Sequence, residues 1–294
     1  MNRKLRISAI QFLNPAPLMW DFEHAPEQAR LAEHYEIHNT LPAQCADELN
    51  TGRADIGLVP VTAYATTPGL AVIPGCVIAS LDHVRSILLV IRPSHGMRSL
   101  RCVAADPASR SSNAYTQIIL QKFYGATPEF LARPAHAADD VDTLLADCDA
   151  AVLIGDPALR ALEDRAARAD RTGEQLEYID LAHEWHQHTG LPWVSAFWAV
   201  RPESLATSGL SPAAVTADFQ RSRDHGLAHL EELVAAWTPR LAGPPAISPA
   251  VIRNYLSQNI HYVLDDNCLA GLGLFYRYAA ELSILPAAPP LRFL

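Results

Sequence analysis

One pattern constrains this chain more than any other: short apolar strands alternate with helices, and the alternation runs twice with similar wording. Such alternation builds parallel sheets covered by helices. In the first run, Leu5–Ile10 reads as a strand. Pro42–Thr51 reads as a short helix with Pro42 near its first turn and Gly52 at its end. Asp55–Val59 reads as a buried strand stopped by Pro60, and Ile87–Ile91 as a fully apolar strand. In the second run, Leu100–Ala105 is a strand. Asn113–Tyr124 is an amphipathic helix with Tyr115, Ile118, Ile119 and Phe123 on one face, closed by Gly125. A helix near Asp139–Ala146 leads into the strand Ala150–Ile154. Leu5-Arg6-Ile7-Ser8-Ala9 matches Leu100-Arg101-Cys102-Val103-Ala104 at three of five positions, and Leu49 to Pro60 parallels Leu145 to Pro157. The repetition predicts two α/β lobes of related plan.

Ile91-Arg92-Pro93 and Val200-Arg201-Pro202 each end an apolar strand with the same pair, which fits a chain that leaves lobe one and later returns. The expected limits are 1–91 with 201–294 for lobe one and 92–200 for lobe two. The last third reads as helical. Ser211-Pro212 and Ser248-Pro249 look like N-cap and first-turn pairs, and Leu227, Leu230, Val234 and Trp237 follow one stripe. A third helix starts at Asp266 and carries Leu269, Leu272, Phe275, Tyr276 and Ala279, with Gly271 and Gly273 read as packing positions. These helices are expected to pack on lobe one, and 286–290 to be a simple tail.

Composition narrows the function. The 294 residues are 49% hydrophobic and 19% charged, which excludes a disordered chain. The net charge of −9 disfavours nucleic-acid binding, which needs a positive field. No apolar stretch approaches the roughly 18 residues of a membrane span. Leu5–Ile10 alternates like a strand and soon meets Asn14-Pro15, so no export signal is expected. Cys45, Cys76, Cys102, Cys148 and Cys268 are scattered and odd in number, which predicts reduced, buried thiols in a cytoplasmic protein.

The richest loop is Asp106-Pro107-Ala108-Ser109-Arg110-Ser111-Ser112, which leaves a strand and enters a helix. Free amides, three hydroxyls and a guanidinium suit a carboxylate or phosphate, where a plain N-cap needs only one hydroxyl. Phe12-Leu13-Asn14-Pro15-Ala16-Pro17-Leu18 is the equivalent loop of lobe one, where Asn14 can donate and accept, or simply make a turn. Gly155 and Asp156 end the lobe-two strand, where ligands of open α/β sheets sit, although Asp156 could instead cap the next helix. Ser86 precedes an inter-lobe strand and could face a cleft. His183, His186 and His188 lack the zinc-protease spacing, so no metal is expected. No nucleophile elbow, phosphate loop or dinucleotide fingerprint occurs, which disfavours covalent catalysis and nucleotide use.

Taken in order, Asn14–Leu18, Gly52–Pro60, Ser109–Ser112, Ile154-Gly155-Asp156 and the run Asp180-Leu181, Trp185, Thr189-Gly190-Leu191-Pro192 resemble the chorismate dehydratase family of futalosine-route menaquinone biosynthesis. The resemblance spans nearly the whole chain. It implies a two-lobed fold like that of type II periplasmic binding proteins, with a ligand cleft between the lobes. It also implies a hydro-lyase that converts chorismate to 3-[(1-carboxyvinyl)oxy]benzoate without a cofactor. The catalytic Asn and Ser of that family map onto Asn14 and Ser86, and its Ser-Arg-Thr-Ser loop onto Ser109–Ser112, with Ser111 in place of Thr. The usual Leu-Pro-Phe is here Leu191-Pro192-Trp193, and the segment before Ser86, usually Gly-rich, is Ala79-Ser80-Leu81-Asp82-His83. On this reading Ser109, Arg110, Ser111, Ser112, Gly155 and Asp156 bind the small-molecule substrate. The enolpyruvyl carboxylate of chorismate, or Asp156, takes the proton. Three alternatives remain: a 1,4-dihydroxy-6-naphthoate synthase-like enzyme of the same pathway, a non-catalytic organic-anion binder, and an inactive relative.

Overall fold

The computed structural model describes residues 3–40, 42–105, 109–133 and 140–294. Asp106, Pro107 and Ala108 of the predicted anion loop, and Asp139 at the predicted helix start, lie outside the described residues. Among the described residues, ten strands form two sheets: β1 (Leu5–Ile10), β2 (Tyr35–Thr40), β3 (Ile56–Pro60), β4 (Ala71–Ser80), β5 (Ile87–Ile91), β6 (Cys102–Ala105), β7 (Glu129–Ala132), β8 (Ala150–Ile154), β9 (Glu177–Asp180) and β10 (Trp193–Val200). Their orders are β2-β1-β3-β10-β4 and β7-β6-β8-β5-β9. In each sheet the first three strands are parallel, and the fourth runs antiparallel to both neighbours. The two sheets therefore share one plan, with β1 and β6 at equivalent positions, where the repeated Leu-Arg wording falls.

A recurring clamp explains that repetition. The Arg6 amide donates to Asp55 Oδ2 at 2.9 Å, and the Arg101 amide to Asp149 Oδ2 at 2.8 Å. The Asp55 carbonyl accepts from the Arg201 amide, and the Asp149 carbonyl from the Arg92 amide. The same arginines reach the preceding helix: Arg201 donates to the Leu49 carbonyl and Arg92 to the Leu145 carbonyl, each at 2.9 Å. Each of these helix-end carbonyls also accepts a backbone amide, from Gly52 and Cys148 respectively, so the arginine adds a second donor in both lobes. The Arg-Pro pairs thus tie the antiparallel strand to the helix and strand beside it.

That antiparallel strand is exchanged. β5 follows directly on the first sheet yet pairs in the second, and β10 follows the second lobe yet pairs in the first. Limits at 91/92 and 200/201 would leave each strand with the sheet it does not pair with. We therefore propose crossings one strand earlier, at 81–86 and 190–192. An antiparallel strand can only fill its slot after the chain has crossed, and the Arg-Pro pair marks its far end.

The helices pack as expected on the first sheet. Helix Pro212–Ala228 starts at Ser211, whose hydroxyl accepts from the Ala214 amide, and its Ser222 bridges to the Leu18 carbonyl. A Cβ on Gly271 would lie 2.3 Å from the Pro192 carbonyl oxygen, so Gly271 is a close-packing position, whereas Gly273 faces open space. Aromatic packing joins the lobes: Tyr115 stacks on Trp193 at 3.7 Å and on Phe275 at 4.1 Å.

Three expectations need correction. Cys102 and Cys148 are joined in a disulfide, because parallel pairing of β6 with β8 brings residues 46 apart in sequence to 5.0 Å between Cα atoms. Cys45, Cys76 and Cys268 are buried free thiols. A compartment inferred from all-reduced thiols loses that support. Leu227 is exposed, because the helical stripe breaks at His229 before Leu230–Trp237 begins. The stretch 286–290 is not a loose tail, because the Tyr64 hydroxyl donates to the Pro290 carbonyl, and beyond it the Val72 amide donates to the Arg292 carbonyl and the Leu294 amide to the Val72 carbonyl.

The Asp55 clamp has a pH signature. Burial works against its charge, but hydrogen bonds from Arg3 and Arg6 outweigh it and hold the carboxyl down at about 2. An unfolded Asp titrates near 3.9. The stabilisation is therefore complete above about pH 4 and is lost as pH falls through the folded value. Asp55→Asn should flatten the acid limb of stability between about pH 4 and 2 in urea titrations, and an unchanged acid limb would contradict the clamp.

Candidate active site

Four backbone turns meet at the carboxyl ends of β1, β3, β6 and β8, the side of an open α/β sheet where ligands bind. Between them lies a cavity of ≈ 90 Å³. Seven of the eight candidate residues line it: Asn14, Ser86, Ser109, Arg110, Ser111, Ser112 and Gly155. The eighth, Asp156, does not. The remaining wall is largely apolar, with Ile10, Phe12, Leu58, Ile78, Val84 and Ile154.

Each polar residue arrives by a separate route. Asn14 follows β1, and its Oδ1 is buried without a partner among the described residues. Ser109 occupies the N-cap position of helix Arg110–Ile119, yet its hydroxyl does not cap the helix and is buried without a partner among the described residues. The bland role considered for this loop is therefore not the one its first serine plays. Buried polar atoms are nearly always bonded, so two unpartnered ones in a single wall are what a polar ligand would satisfy. Ser111 has a different task. Its hydroxyl pairs with the Thr62 hydroxyl at 3.1 Å and accepts from the Thr62 amide, linking the first turns of two helices across the cleft. Arg110 is exposed and is the one charged side chain in the described wall.

Ser86 is held on three sides. Its carbonyl accepts from the Gly155 amide at 2.7 Å, and its hydroxyl from Tyr255 at 2.7 Å. The preceding residue, Arg85, has φ 63°, a left-handed conformation that costs a non-glycine residue free energy. The Asp180 carboxylate holds it there by accepting from the Val84 and Arg85 amides while also capping helix Leu181–Thr189 through Ala182 and His183. Burial pushes the Asp180 carboxyl up, against those backbone donors. Gly155 also needs its left-handed φ of 65°, and it borders Phe12 across the cleft.

Asp156 lies in the first turn of helix Gly155–Thr172 but makes no cap. Its carboxylate accepts from the Leu13 amide at 3.4 Å, which joins the two lobes behind the cavity wall. Burial pushes its carboxyl up, and the Leu13 contact and Arg160 pull the other way. The histidine-rich stretch forms a helix, Leu181–Thr189, with Trp185 buried. His183 pairs with Asp82 at 2.5 Å and stacks on His83 at 3.8 Å. His83 Nδ1 also lies 3.1 Å from the Asp82 carboxylate, so one ligand atom from each of the three residues falls within 4.8 Å of the others.

Ser195 and Tyr255 were missed in the sequence. Ser195 lines the cavity and accepts from Trp193 Nε1 at 2.8 Å, so the Trp193 departure reaches the wall through this serine. A lone hydroxyl in the apolar run Trp193–Val200 was the available signal. Tyr255 gave none, because it reads as one more apolar position on a helical stripe.

Residues 5–281 match the model of a family described as menaquinone biosynthesis. The chain belongs to that family. A chorismate dehydratase of Thermus thermophilus is 30% identical over 266 residues, covering 87% of this chain and 90% of the relative. This menaquinone-biosynthesis family member has the two-lobed binding-protein fold. The periplasmic aliphatic sulphonate binding protein of Escherichia coli superposes with a TM-score of 0.62 at 16% identity, covering 100% of this chain and 94% of its own. A protein of Archaeoglobus fulgidus reaches 0.70 at 13% identity, covering 96% and 98%. A Candida albicans protein described as having the generic periplasmic binding protein fold reaches 0.63 at 13% identity, covering 99% and 97%.

The Asp180 arrangement is testable. Asp180→Ala leaves two strained-segment amides and two helix-end amides without their acceptor, so denaturant titration should show a loss of about 2 kcal/mol or more. A neutral substitution would mean that the Arg85 conformation is held by something else.

Proposed function

We propose that this protein is a chorismate dehydratase, removing water from chorismate to give 3-[(1-carboxyvinyl)oxy]benzoate in the futalosine route to menaquinone. The observation that carries the reading is the cavity wall. One guanidinium sits among five serines and an asparagine on an otherwise largely apolar surface, with no carboxylate or imidazole among the described wall residues. Such a wall suits a dianion with an apolar ring. The 30% identical dehydratase supports the same substrate.

The chemistry asks little of the protein. Chorismate loses the hydrogen at C3 and the hydroxyl at C4, and aromatisation of the ring supplies the drive. The reaction is redox-neutral. The protein must hold the dianion, orient the departing hydroxyl and exclude water. Arg110 with Ser109, Ser112 and the first-turn amides, which no α-helix satisfies internally, would bind one carboxylate. Asn14 and Ser86 would hydrogen-bond the reacting region, where charge develops as the C4–O bond lengthens. The enolpyruvyl carboxylate of the substrate then takes the C3 proton. The position of Asp156 behind the wall, occupied by the Leu13 amide, supports this choice over the protein carboxylate.

Incubating the purified protein with chorismate should produce a benzenoid ultraviolet spectrum and a product lighter by one water. Ser86→Ala and Asn14→Ala should lower kcat about 100-fold or more, as loss of a donor to developing charge does elsewhere. Arg110→Gln should raise KM about tenfold or more, the usual cost of a charged hydrogen bond. Chorismate bound but unchanged would favour an organic-anion binder. Turnover of the cyclic futalosine derivative instead would favour the naphthoate-synthase reading.

The proton acceptor is tested separately. Asp156→Asn should keep kcat within a few-fold of the parent. A large fall in kcat with substrate affinity intact would move the base role to Asp156.

A further inference from the structure

Ser86 can donate to a ligand only if its single proton points into the cavity. A serine hydroxyl carries one donor and two acceptor sites and rotates freely unless a neighbour fixes it. The neighbour here is Tyr255, from the C-terminal helices that carried no functional signal in the sequence. Tyr255 is 1% exposed and begins a widened turn, Tyr255–Asn259, that follows helix Pro249–Asn254. Turns of this kind are frequent at functional sites. Its phenol donates to Ser86 Oγ at 2.7 Å, from outside the cavity. With one acceptor site of Oγ occupied from behind, the serine proton is free to be donated forward.

We propose that Tyr255 is a positioning residue that fixes the Ser86 hydroxyl as a donor toward the departing C4 hydroxyl of the substrate. This rests on the chorismate reading. Burial holds the phenol protonated far above its ordinary range, against the hydrogen bond to Ser86, so the phenol keeps the proton that it donates to Ser86. The backbone of Ser86 is fixed separately by Asp180 and Gly155, and Tyr255 supplies the remaining rotational constraint. No proton leaves either hydroxyl. The C3–H electron pair becomes the C3–C4 π bond, and the C4–O pair leaves with oxygen. The abstracted proton and the hydroxide make water. A hydrogen bond accepted by Ser86 polarises its O–H and strengthens the one it donates.

The test uses the full-length protein with chorismate. Tyr255→Phe keeps the ring and deletes the donor. Its kcat should fall about fivefold to tenfold, the worth of one neutral hydrogen bond, with KM within twofold. In a Ser86→Ala background the same change should have no further effect on kcat. A purely structural role predicts equal losses in both backgrounds and overturns the proposal, as does an unchanged kcat in Tyr255→Phe. If Tyr255→Phe does not fold, 3-fluorotyrosine placed at 255 keeps the shape and makes a stronger donor. It should then raise kcat at unchanged KM, and no change overturns the proposal. Parent protein that leaves chorismate unchanged removes the chorismate reading and this proposal together. Active parent with an indifferent Tyr255→Phe removes the proposal alone.

Discussion

The Asp-centred clamp at the base of each sheet is the interaction on which the rest depends. The Asp55 and Asp149 carboxylates each accept from the amide of the Arg in a Leu-Arg pair, and their backbone carbonyls each accept from the amide of the Arg in an Arg-Pro pair. The clamp sets the central parallel strand, the strand beside it and the exchanged antiparallel strand in one register. Because β5 and β10 each cross before they pair, the two lobes are tied together twice, and the cleft falls between the crossings. A break in either clamp would loosen the strand that follows Ser86 or the strand that carries Ser195.

The cavity inherits its chemistry from where strands end. Loops at the carboxyl ends of β1, β6 and β8 bring Asn14, Ser109 and Gly155 to one place from widely separated stretches of chain. Their neighbours then divide the work. Ser111 joins the lobes through Thr62, and Asp156 does so through Leu13, so two polar groups that look like ligand contacts in the sequence hold the cleft together. Asn14 Oδ1 and Ser109 Oγ, by contrast, have no such task among the described residues. Hydroxyl and amide groups on a mainly apolar surface can hold and orient an anion, which is what the proposed dehydration asks of the wall.

Much of this was legible because the relevant signals are local. Periodicity, proline placement and the Ser-Arg-Ser-Ser loop depend on residues close in sequence, and the strands Leu5–Ile10, Ile87–Ile91 and Ala150–Ile154 were readable to the residue. β2, β4, β7 and β9 were not, because β2 alternates weakly, β4 is interrupted by Pro74-Gly75, and β7 and β9 are only four residues long. The Cys102–Cys148 bond, the bonded C-terminus and the side on which β5 and β10 pair all involve partners far along the chain, which no spacing rule reaches.

The amino-acid order alone determined the two related α/β lobes, the helical last third and the identity of the hydroxyl-rich loop, because backbone propensity and hydrophobic period are properties of neighbouring residues. Only the folded chain decided which groups share a wall. Tyr255 meets Ser86 across 169 positions, and Asp180 sets the backbone before Ser86 from 95 positions away. Burial, strain and hydrogen-bond direction arise from packing between distant segments, so the roles of these residues belong to the tertiary structure.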